Sequence, residues 1–139
     1  RLLDMGMDDY LLTSTVNGIL AQRLVRTLCT HCRQQHPALP EVVADMQLER
    51  YTTARPVMLF RPVGCAECGG TGYMGRVSIL EILVMSDTLR GLVMRHATAG
   101  EIRQQAIIEG MQTMYENGLA KAVAGVTTIE EVLRVTREE

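Results

Sequence analysis

Aromatic residues are scarce in this sequence, and basic residues are not in excess. Its 139 residues include one Phe, four Tyr and no Trp, and 14 Lys and Arg stand against 16 Asp and Glu, giving a formal net charge of -2. Surfaces that bind nucleic acid are usually basic, and those that bind single strands add aromatic rings on which bases stack. The composition therefore argues against a nucleic-acid partner.

Long apolar runs are also missing. No stretch approaches the roughly 18 consecutive apolar residues that a membrane-spanning helix needs, so we expect no direct membrane insertion. The hydrophobic fraction of 47% and the charged fraction of 22% are typical of a soluble globular protein. The sequence opens at Arg1 inside an apolar-patterned segment, without Met or a secretory leader, which predicts a piece of a longer protein.

Several catalytic signatures are absent as well. The sequence contains no G-x-x-x-x-G-K-[ST] phosphate loop, no G-x-G-x-x-G after a strand, no G-x-S-x-G and no H-E-x-x-H. The acidic pairs Asp8-Asp9 and Glu130-Glu131 are interpreted as helix-start charges rather than as a general acid and base. We therefore predict that this chain alone is catalytically inactive.

Composition and apolar patterning divide the sequence into three predicted parts. The first comprises residues 1–28. Polar and apolar residues there follow a helical stripe: Leu12, Thr15, Val16, Ile19 and Leu20. This spacing predicts a helix over about 8–17 and then a short strand over about 21–28. The first part is typical of the edge of a larger α/β core.

The second part, residues 29–75, contains all four cysteines, all four prolines and a cluster of glycines. Such a composition predicts a segment with little apolar core of its own, held together by something else. Within it we predict one helix over 41–51 and one short strand over 57–60.

The third part, residues 76–139, begins with a strand-prone run over 77–84 and continues as short helices separated by Gly110 and Gly125. Three helical stripes are Leu89, Leu92, Val93 and His96; Tyr115, Leu119, Ala122 and Val123; and Ile129, Val132, Leu133 and Thr136. Thr127 and Glu130 have the spacing of a capping box. The sequence thus predicts an α/β fold that ends in a small helical bundle.

The cysteines form two CxxC pairs, Cys29 with Cys32 and Cys65 with Cys68, and 32 residues separate the pairs. Two CxxC turns supply the four sulfur ligands of a closed tetrahedral zinc site, which leaves no open position for hydrolytic chemistry. Disulfides, a redox CxxC and coincidence are the competing interpretations. The absence of a secretory signal and the pairing of all four cysteines favour structural zinc.

The three histidines are weaker candidates for metal ligands. His31 lies inside the first CxxC pair, but four sulfurs already complete a tetrahedral shell. His36 is no stronger a candidate for a metal ligand than His31. His96 ends an apolar stripe and is interpreted as a partly buried residue on a helix face.

Read in order, several motifs resemble the C-terminal end of the GspE family of type II secretion ATPases, with the type IV pilus assembly ATPases as close relatives. The resemblance covers essentially the whole chain. Besides the two CxxC pairs, the motifs are Met5-Gly6, Ala21-Gln22-Arg23-Leu24-Val25-Arg26, Thr71-Gly72-Tyr73-Met74-Gly75-Arg76 and Glu130-Glu131-Val132-Leu133-Arg134-Val135-Thr136.

This resemblance implies a hexameric RecA-like motor at the cytoplasmic face of the bacterial inner membrane. Such a motor binds ATP and Mg²⁺ and drives pseudopilus assembly for protein export. Its partners would be the other subunits of a homohexamer and the inner-membrane secretion platform. The nucleotide-binding motifs of the family would lie upstream of Arg1, so residues 1–28 would end the RecA-like core, 29–75 would be the metal-binding subdomain and 76–139 the mainly helical subdomain.

One family role transfers to a single residue of this chain. Arg76 closes the T-G-Y-x-G-R motif, and in the family this arginine points toward the bound nucleotide. A guanidinium suits that role because it offers a planar fork to phosphate. The alternative is a surface arginine beside the metal turn, and Met74, where the family more often has a basic residue, weakens a positive patch here.

Two alternative functions stay open at this point. The final motif resembles the secretion branch more than the pilus branch, and the pilus assembly ATPases remain the alternative within the superfamily. A zinc-stabilised binding module is the alternative from another class, because residues 65–72 match the C-x-x-C-x-G-x-G repeat of Hsp40-type chaperones. Those chaperones carry four such repeats, whereas this chain has one.

Overall fold

The computed structural model describes residues 1–137 and shows a mixed α/β chain, as the sequence predicts. Over this range there are six α-helices, four strands and one 3₁₀ turn. The strands are β1 (Gly18–Leu28), β2 (Gln34–Pro37), β3 (Met58–Arg61) and β4 (Tyr73–Val84). The helices are α1 (Asp9–Thr15), α2 (Pro40–Met46), α3 (Asp87–Met94), α4 (Ala99–Ile108), α5 (Met114–Val123) and α6 (Ile129–Thr136), and the 3₁₀ turn is Leu48–Arg50.

The chain forms two compact units. Unit 1 comprises Arg1–Ala21 and Glu81–Thr113, and unit 2 comprises Gln22–Leu80 and the chain from Met114 onward. Strand β1 pairs with β4, and β2 pairs with β3 in an antiparallel register that places His36 opposite Leu59. The three-part domain division stays a prediction. Among the described residues, no helix combines the length and apolarity required to cross a bilayer.

Unit 1 contains α1, α3 and α4, each of which begins at a polar cap. Asp8 accepts a hydrogen bond from the amide of Leu11, which confirms its interpretation as a helix-start acid. Ser86 caps α3, and Thr98 with Glu101 forms a complete capping box at α4 that was not predicted from the sequence. These caps satisfy amide donors that have no partner within their own helix.

Two predictions for unit 1 are wrong in detail. Ile19 and Leu20 lie in β1 and are exposed, because the chain leaves the helix at Val16 and is extended from Gly18 onward. His96 is not on a helix face: it follows α3 with a φ of 55° in a Schellman turn, and its imidazole lies 3.1 Å from the Asp9 carboxylate. That turn carries the His96 side chain out to solvent, where 62% of it is exposed.

Unit 2 is built around an apolar cluster. Its buried members are Leu48, Val57, Leu119, Ala122, Ile129 and Val132. The helical stripes predicted for α5 and α6 are confirmed, since they supply four of these residues. The expectation that residues 29–75 lack an apolar core is wrong, because Leu48 and Val57 from that segment are buried in the same cluster. The predicted helix and strand that contain these two residues give no sign of the distant helices against which they pack.

Close contact between α5 and α6 depends on Gly118. A Cβ atom at this position would lie 2.5 Å from a methyl group of Val132. The absence of a side chain therefore lets the two helices approach each other.

Three local predictions for unit 2 need correction. The helix expected over 41–51 is split into α2 and the 3₁₀ turn, because Gln47 adopts a left-handed φ of 51°. Strand β2 was not predicted, since its sequence lacks apolar alternation. The cap of α6 is Thr128, which accepts a hydrogen bond from the Glu131 amide, whereas Thr127 is buried and donates to the Arg26 carbonyl. The capping box expected from Thr127 and Glu130 does not form: the N-cap lies one residue later, and the Glu131 carboxylate binds Arg26 and Arg134 instead of the cap amide.

The shared core leads to a prediction with a matched control. We expect Leu48→Ala to lower the free energy of unfolding by about 2–5 kcal/mol, because Leu48 is fully buried and a cavity would remain. Leu39→Ala removes the same atoms from a side chain that is 65% exposed, and it should cost less than about 1 kcal/mol. Equal losses in urea unfolding would contradict a core that includes the cysteine-bearing segment.

Candidate metal centre

Two turns in unit 2 carry the four cysteines. The first turn follows β1 and contains Cys29 and Cys32, and the second lies between β3 and β4 and contains Cys65 and Cys68. Within the turns, the Arg33 amide donates to the Cys29 carbonyl and the Gly70 amide donates to the Cys65 carbonyl. The Cys29 amide donates to the Gly72 carbonyl at 2.9 Å and joins the two turns.

The structure brings all four predicted ligands together. Their sulfur atoms lie within 4.8 Å of one another, and the Cys29–Cys65, Cys65–Cys68 and Cys32–Cys68 sulfur pairs are separated by 3.8, 3.8 and 3.9 Å. Sulfurs bound to zinc at about 2.3 Å in a tetrahedron are about 3.8 Å apart. The cluster therefore has the spacing and the donor set of a Cys₄ zinc site.

Backbone amides point at the sulfurs of this cluster. Cys68 Sγ accepts from the amides of Cys65 and Gly72, each at 3.2 Å, and Cys32 Sγ accepts from the Gly64 amide at 3.3 Å. Such bonds stabilise thiolates and fix their orientation. They are the contacts expected around sulfur atoms that carry negative charge.

The thiols of the second turn influence one another. Although desolvation opposes its ionisation, the amides of Cys65 and Gly72 lower the pKa of Cys68 to about 6. The amide of Cys68 favours ionisation of Cys65, but desolvation and the adjacent Cys68 and Cys29 thiols raise the pKa of Cys65 to about 11. A divalent cation would favour ionisation of both thiols, because it stabilises all four thiolates together.

Glycine is required at two points where the second turn folds back on the chain. A Cβ at Gly64 (φ 106°) would lie 2.6 Å from the Gly70 carbonyl oxygen, and a Cβ at Gly72 (φ 81°) would lie 2.4 Å from Pro62 Cβ. Any side chain at either position would clash and would also strain the backbone. Glycine at these two positions therefore permits the tight backbone around the second CxxC pair.

A buried carboxylate anchors the neighbouring structure. Glu131 in α6 is 2% exposed and accepts hydrogen bonds from the Arg26 amide (2.8 Å), from the Arg26 guanidinium and from the Arg134 guanidinium (both 2.9 Å at their shortest). The guanidinium of Arg26 also lies 4.1 Å from the centre of the Tyr73 ring. Because Arg26 and Tyr73 flank the metal centre in sequence, this network fixes the chain on both sides of it.

The roles of Arg26, Tyr73 and Glu131 were not predicted from the sequence. Glu131 was interpreted only as a helix-start acid, whereas its side chain bridges β1 and α6. The available signal was weak: Arg134 stands three residues after Glu131, at ion-pair spacing on a helix. The contribution of Arg26, 105 residues away in sequence, leaves no local pattern.

The remaining predicted candidates lie apart from the sulfur cluster. Arg76 is exposed on β4, and its guanidinium makes no hydrogen bond or ion pair with the residues the structure describes. His31 and His36 do not join the cluster of possible ligands. Met74, which was not predicted as a ligand, lies beside the cluster, with its Sδ 3.9 Å from Cys29 Sγ.

The fold and the site define a mixed α/β chain with a cluster of four cysteines that could hold a metal ion. A family model described as type II/IV secretion system protein matches residues 1–134. The chain belongs to this family.

Individual relatives agree with this assignment. The chain is 55% identical over 138 residues to the type II secretion system protein E of Xanthomonas campestris, covering 99% of this chain and 24% of the relative. It is 44% identical to the protein of the same name from Pectobacterium carotovorum, covering 100% of this chain and 27% of the relative. It is 40% identical to the type IV pilus assembly ATPase PilB of Thermus thermophilus, covering 99% and 15%. The chain thus spans about a quarter or less of the length of these relatives.

The Glu131 network generates a prediction about acid stability. Hydrogen bonds from Arg134, and then from Arg26, lower the pKa of Glu131 from 4.5 to about 2 despite its desolvation. Because the folded-state pKa is the lower one, the stabilisation is complete above about pH 4.5 and is lost as the pH falls through about 2. At neutral pH, Glu131→Gln should therefore reduce the free energy of unfolding by about 3 kcal/mol.

The neighbouring Glu130 provides the control, since its side chain is exposed. Glu130→Gln should change the stability by less than about 0.5 kcal/mol. Urea unfolding between pH 2 and 7 measures both variants. A wild-type protein and a Glu131→Gln variant with the same pH dependence would contradict the assigned role.

Proposed function

We propose that this chain is the C-terminal part of an ATP-hydrolysing motor that powers protein export by type II secretion through pseudopilus assembly. Family membership over residues 1–134 carries this proposal. Two of the relatives described above bear the name type II secretion system protein E. The motor would be a homohexamer in the cytoplasm, bound peripherally to the inner membrane through platform proteins.

In this proposal the chain contributes structure to the motor rather than the hydrolytic centre. The four cysteines would hold one Zn²⁺, which closes the segment between the two turns and fixes the start of β4. The sequence has no phosphate-binding loop, so ATP and Mg²⁺ would be held mainly by the remainder of the motor. The chain alone would therefore not hydrolyse ATP.

Pilus assembly is the second candidate function. The relative from Thermus thermophilus is named a type IV pilus assembly ATPase, and its 40% identity favours a closely related role. The Hsp40-type interpretation has less support, because only one turn carries the glycine pattern and family membership extends far beyond it.

The metal content tests the structural part of the proposal. The purified chain should contain one zinc per molecule by elemental analysis, because the four sulfurs have the separation of a tetrahedral zinc shell. Cys68→Ser should lose most of this zinc. His31→Ala, which alters the same pair of turns without removing a sulfur, should retain it. Four free thiols and no metal in the wild-type chain would refute the zinc assignment.

The nucleotide role proposed for Arg76 is tested in the full-length motor. Arg76→Ala should lower the rate of ATP hydrolysis while leaving the zinc content and the thermal midpoint nearly unchanged, since an exposed arginine adds little stability. Arg76→Lys should restore only part of the rate, because an ammonium lacks the planar fork.

Arg61→Ala is the control for Arg76. Arg61 is also exposed, but its guanidinium is bound to the Gln34 side chain on the β2–β3 pair. This variant should hydrolyse ATP at the wild-type rate. If the Arg76→Ala motor also did so, with normal zinc content, Arg76 would have no role at the nucleotide.

A further inference from the structure

The arrangement of the four sulfurs determines how they can pair with one another. Four thiols can form two disulfides in three ways. The two contacts between the turns, Cys29–Cys65 at 3.8 Å and Cys32–Cys68 at 3.9 Å, together make one complete pairing. The Cys65–Cys68 contact at 3.8 Å lies within one turn and leaves Cys29 with Cys32. The pairing between the turns is therefore the one built from two observed close contacts.

Access to the cluster is unequal. Cys29 is fully buried, whereas Cys32 and Cys65 are half-buried. A small oxidant therefore reaches Cys32 and Cys65 first, and Cys29 is placed to react with an oxidised Cys65 rather than with the oxidant itself. A sulfur that is reachable and has a second thiol beside it is the arrangement of a reversible oxidation site.

The fold around the cluster does not rest on the metal alone. Leu48 and Val57 anchor the intervening segment in the apolar cluster of unit 2. The bond from the Cys29 amide to the Gly72 carbonyl joins the two turns through the backbone. The sulfurs can therefore change their bonding while the chain around them remains in place.

We propose that the four cysteines are a reversible oxidation site, at which peroxide converts them into the disulfides Cys29–Cys65 and Cys32–Cys68 and thereby releases the metal. This inference rests on the zinc site of the proposed function. Because the two disulfides close the same loops that the metal closes, the oxidised chain keeps the fold of unit 2.

The chemistry balances with peroxide as the oxidant. In the first pair, the Cys65 thiolate attacks one peroxide oxygen, the O–O bond breaks, and hydroxide leaves, giving a sulfenic acid. The Cys29 thiolate then attacks the Cys65 sulfur and expels a second hydroxide as the S–S bond forms. Two electrons pass from the two sulfurs to one peroxide. The Cys32–Cys68 pair consumes a second peroxide in the same way, so that no thiolate remains to bind the metal.

To test this proposal, the full zinc-loaded chain is treated with increasing amounts of hydrogen peroxide. Released zinc is followed with a chromogenic chelator, and disulfides are mapped by mass spectrometry after free thiols are blocked. We expect complete release after about two peroxides are consumed per chain, together with the Cys29–Cys65 and Cys32–Cys68 crosslinks. Reduction in the presence of zinc should restore the original metal content.

A matched set of single variants separates the two disulfides. Cys32→Ser and Cys68→Ser both leave the first pair intact, so each should yield the Cys29–Cys65 crosslink. Cys29→Ser should yield Cys32–Cys68 instead. Disulfides within the turns, Cys29–Cys32 and Cys65–Cys68, would overturn the proposal, as would irreversible sulfonic acids without disulfides or retention of all four thiols under excess peroxide.

Thermal unfolding supplies a readout that does not depend on mapping. The oxidised, metal-free chain should unfold about 10 °C above the reduced chain stripped by a chelator, because crosslinks between the turns restrict the unfolded chain. Equal midpoints would contradict closure of the loops by disulfides. Zinc content before oxidation distinguishes the two hypotheses: a chain without zinc refutes the zinc assignment, whereas a zinc-loaded chain with the wrong crosslinks refutes only the oxidation site.

Discussion

The carboxylate of Glu131 is the contact on which the arrangement of unit 2 depends most. It is almost completely buried, yet five hydrogen bonds from two arginines surround it: three from Arg26 and two from Arg134. Burial of an unpaired carboxylate would cost several kcal/mol, so the charge is tolerated only because both partners are in place. This requirement fixes the start of α6 against the end of β1.

The Glu131 contact is linked to the four-cysteine cluster through a few further contacts. Arg26 precedes Cys29 by three residues, and its guanidinium also lies over Tyr73, which follows Gly72. The Tyr73 hydroxyl is hydrogen bonded to Thr128, the cap of α6. Both turns that carry cysteines are therefore held next to α6 by polar contacts that do not involve a sulfur. A metal would bind to turns that are already close together, which lowers the entropy lost when the site forms.

The sequence predicted the elements whose signal is local. The structure confirms the apolar stripes of α5 and α6, and it brings the two CxxC pairs together. Both are patterns within a few residues. The prediction errors involve partners that are distant along the chain. The sequence predicts a helix around Leu48 and a strand that begins at Val57, but it does not indicate that both residues are buried with α5 and α6. No periodic pattern in the sequence indicates that Leu48 and Leu119 belong to the same buried cluster.

The contrast between local patterns and distant contacts also explains where the helices end. A helical pattern continues through Gln47 and through Ile19, but the backbone departs from the helix before Ile19 and at Gln47. These departures follow from where each segment packs rather than from the spacing of its apolar residues. For the candidate site, the CxxC spacing selected four sulfurs that the structure brings together. It could not identify the backbone amides that donate to Cys32 and Cys68.

In the proposed motor, Arg76 would be the residue through which this framework serves the larger protein. It lies three residues after Tyr73 on β4, a strand whose first residues are fixed by the Arg26 contact and by the Gly72 bond to Cys29. The guanidinium itself is exposed and makes no polar contact with the described part of the chain. A charged group on a fixed backbone loses little entropy when it meets a ligand, because only its own side chain must be ordered. The metal centre and the Glu131 network would then act on a nucleotide indirectly, by holding the strand that presents Arg76.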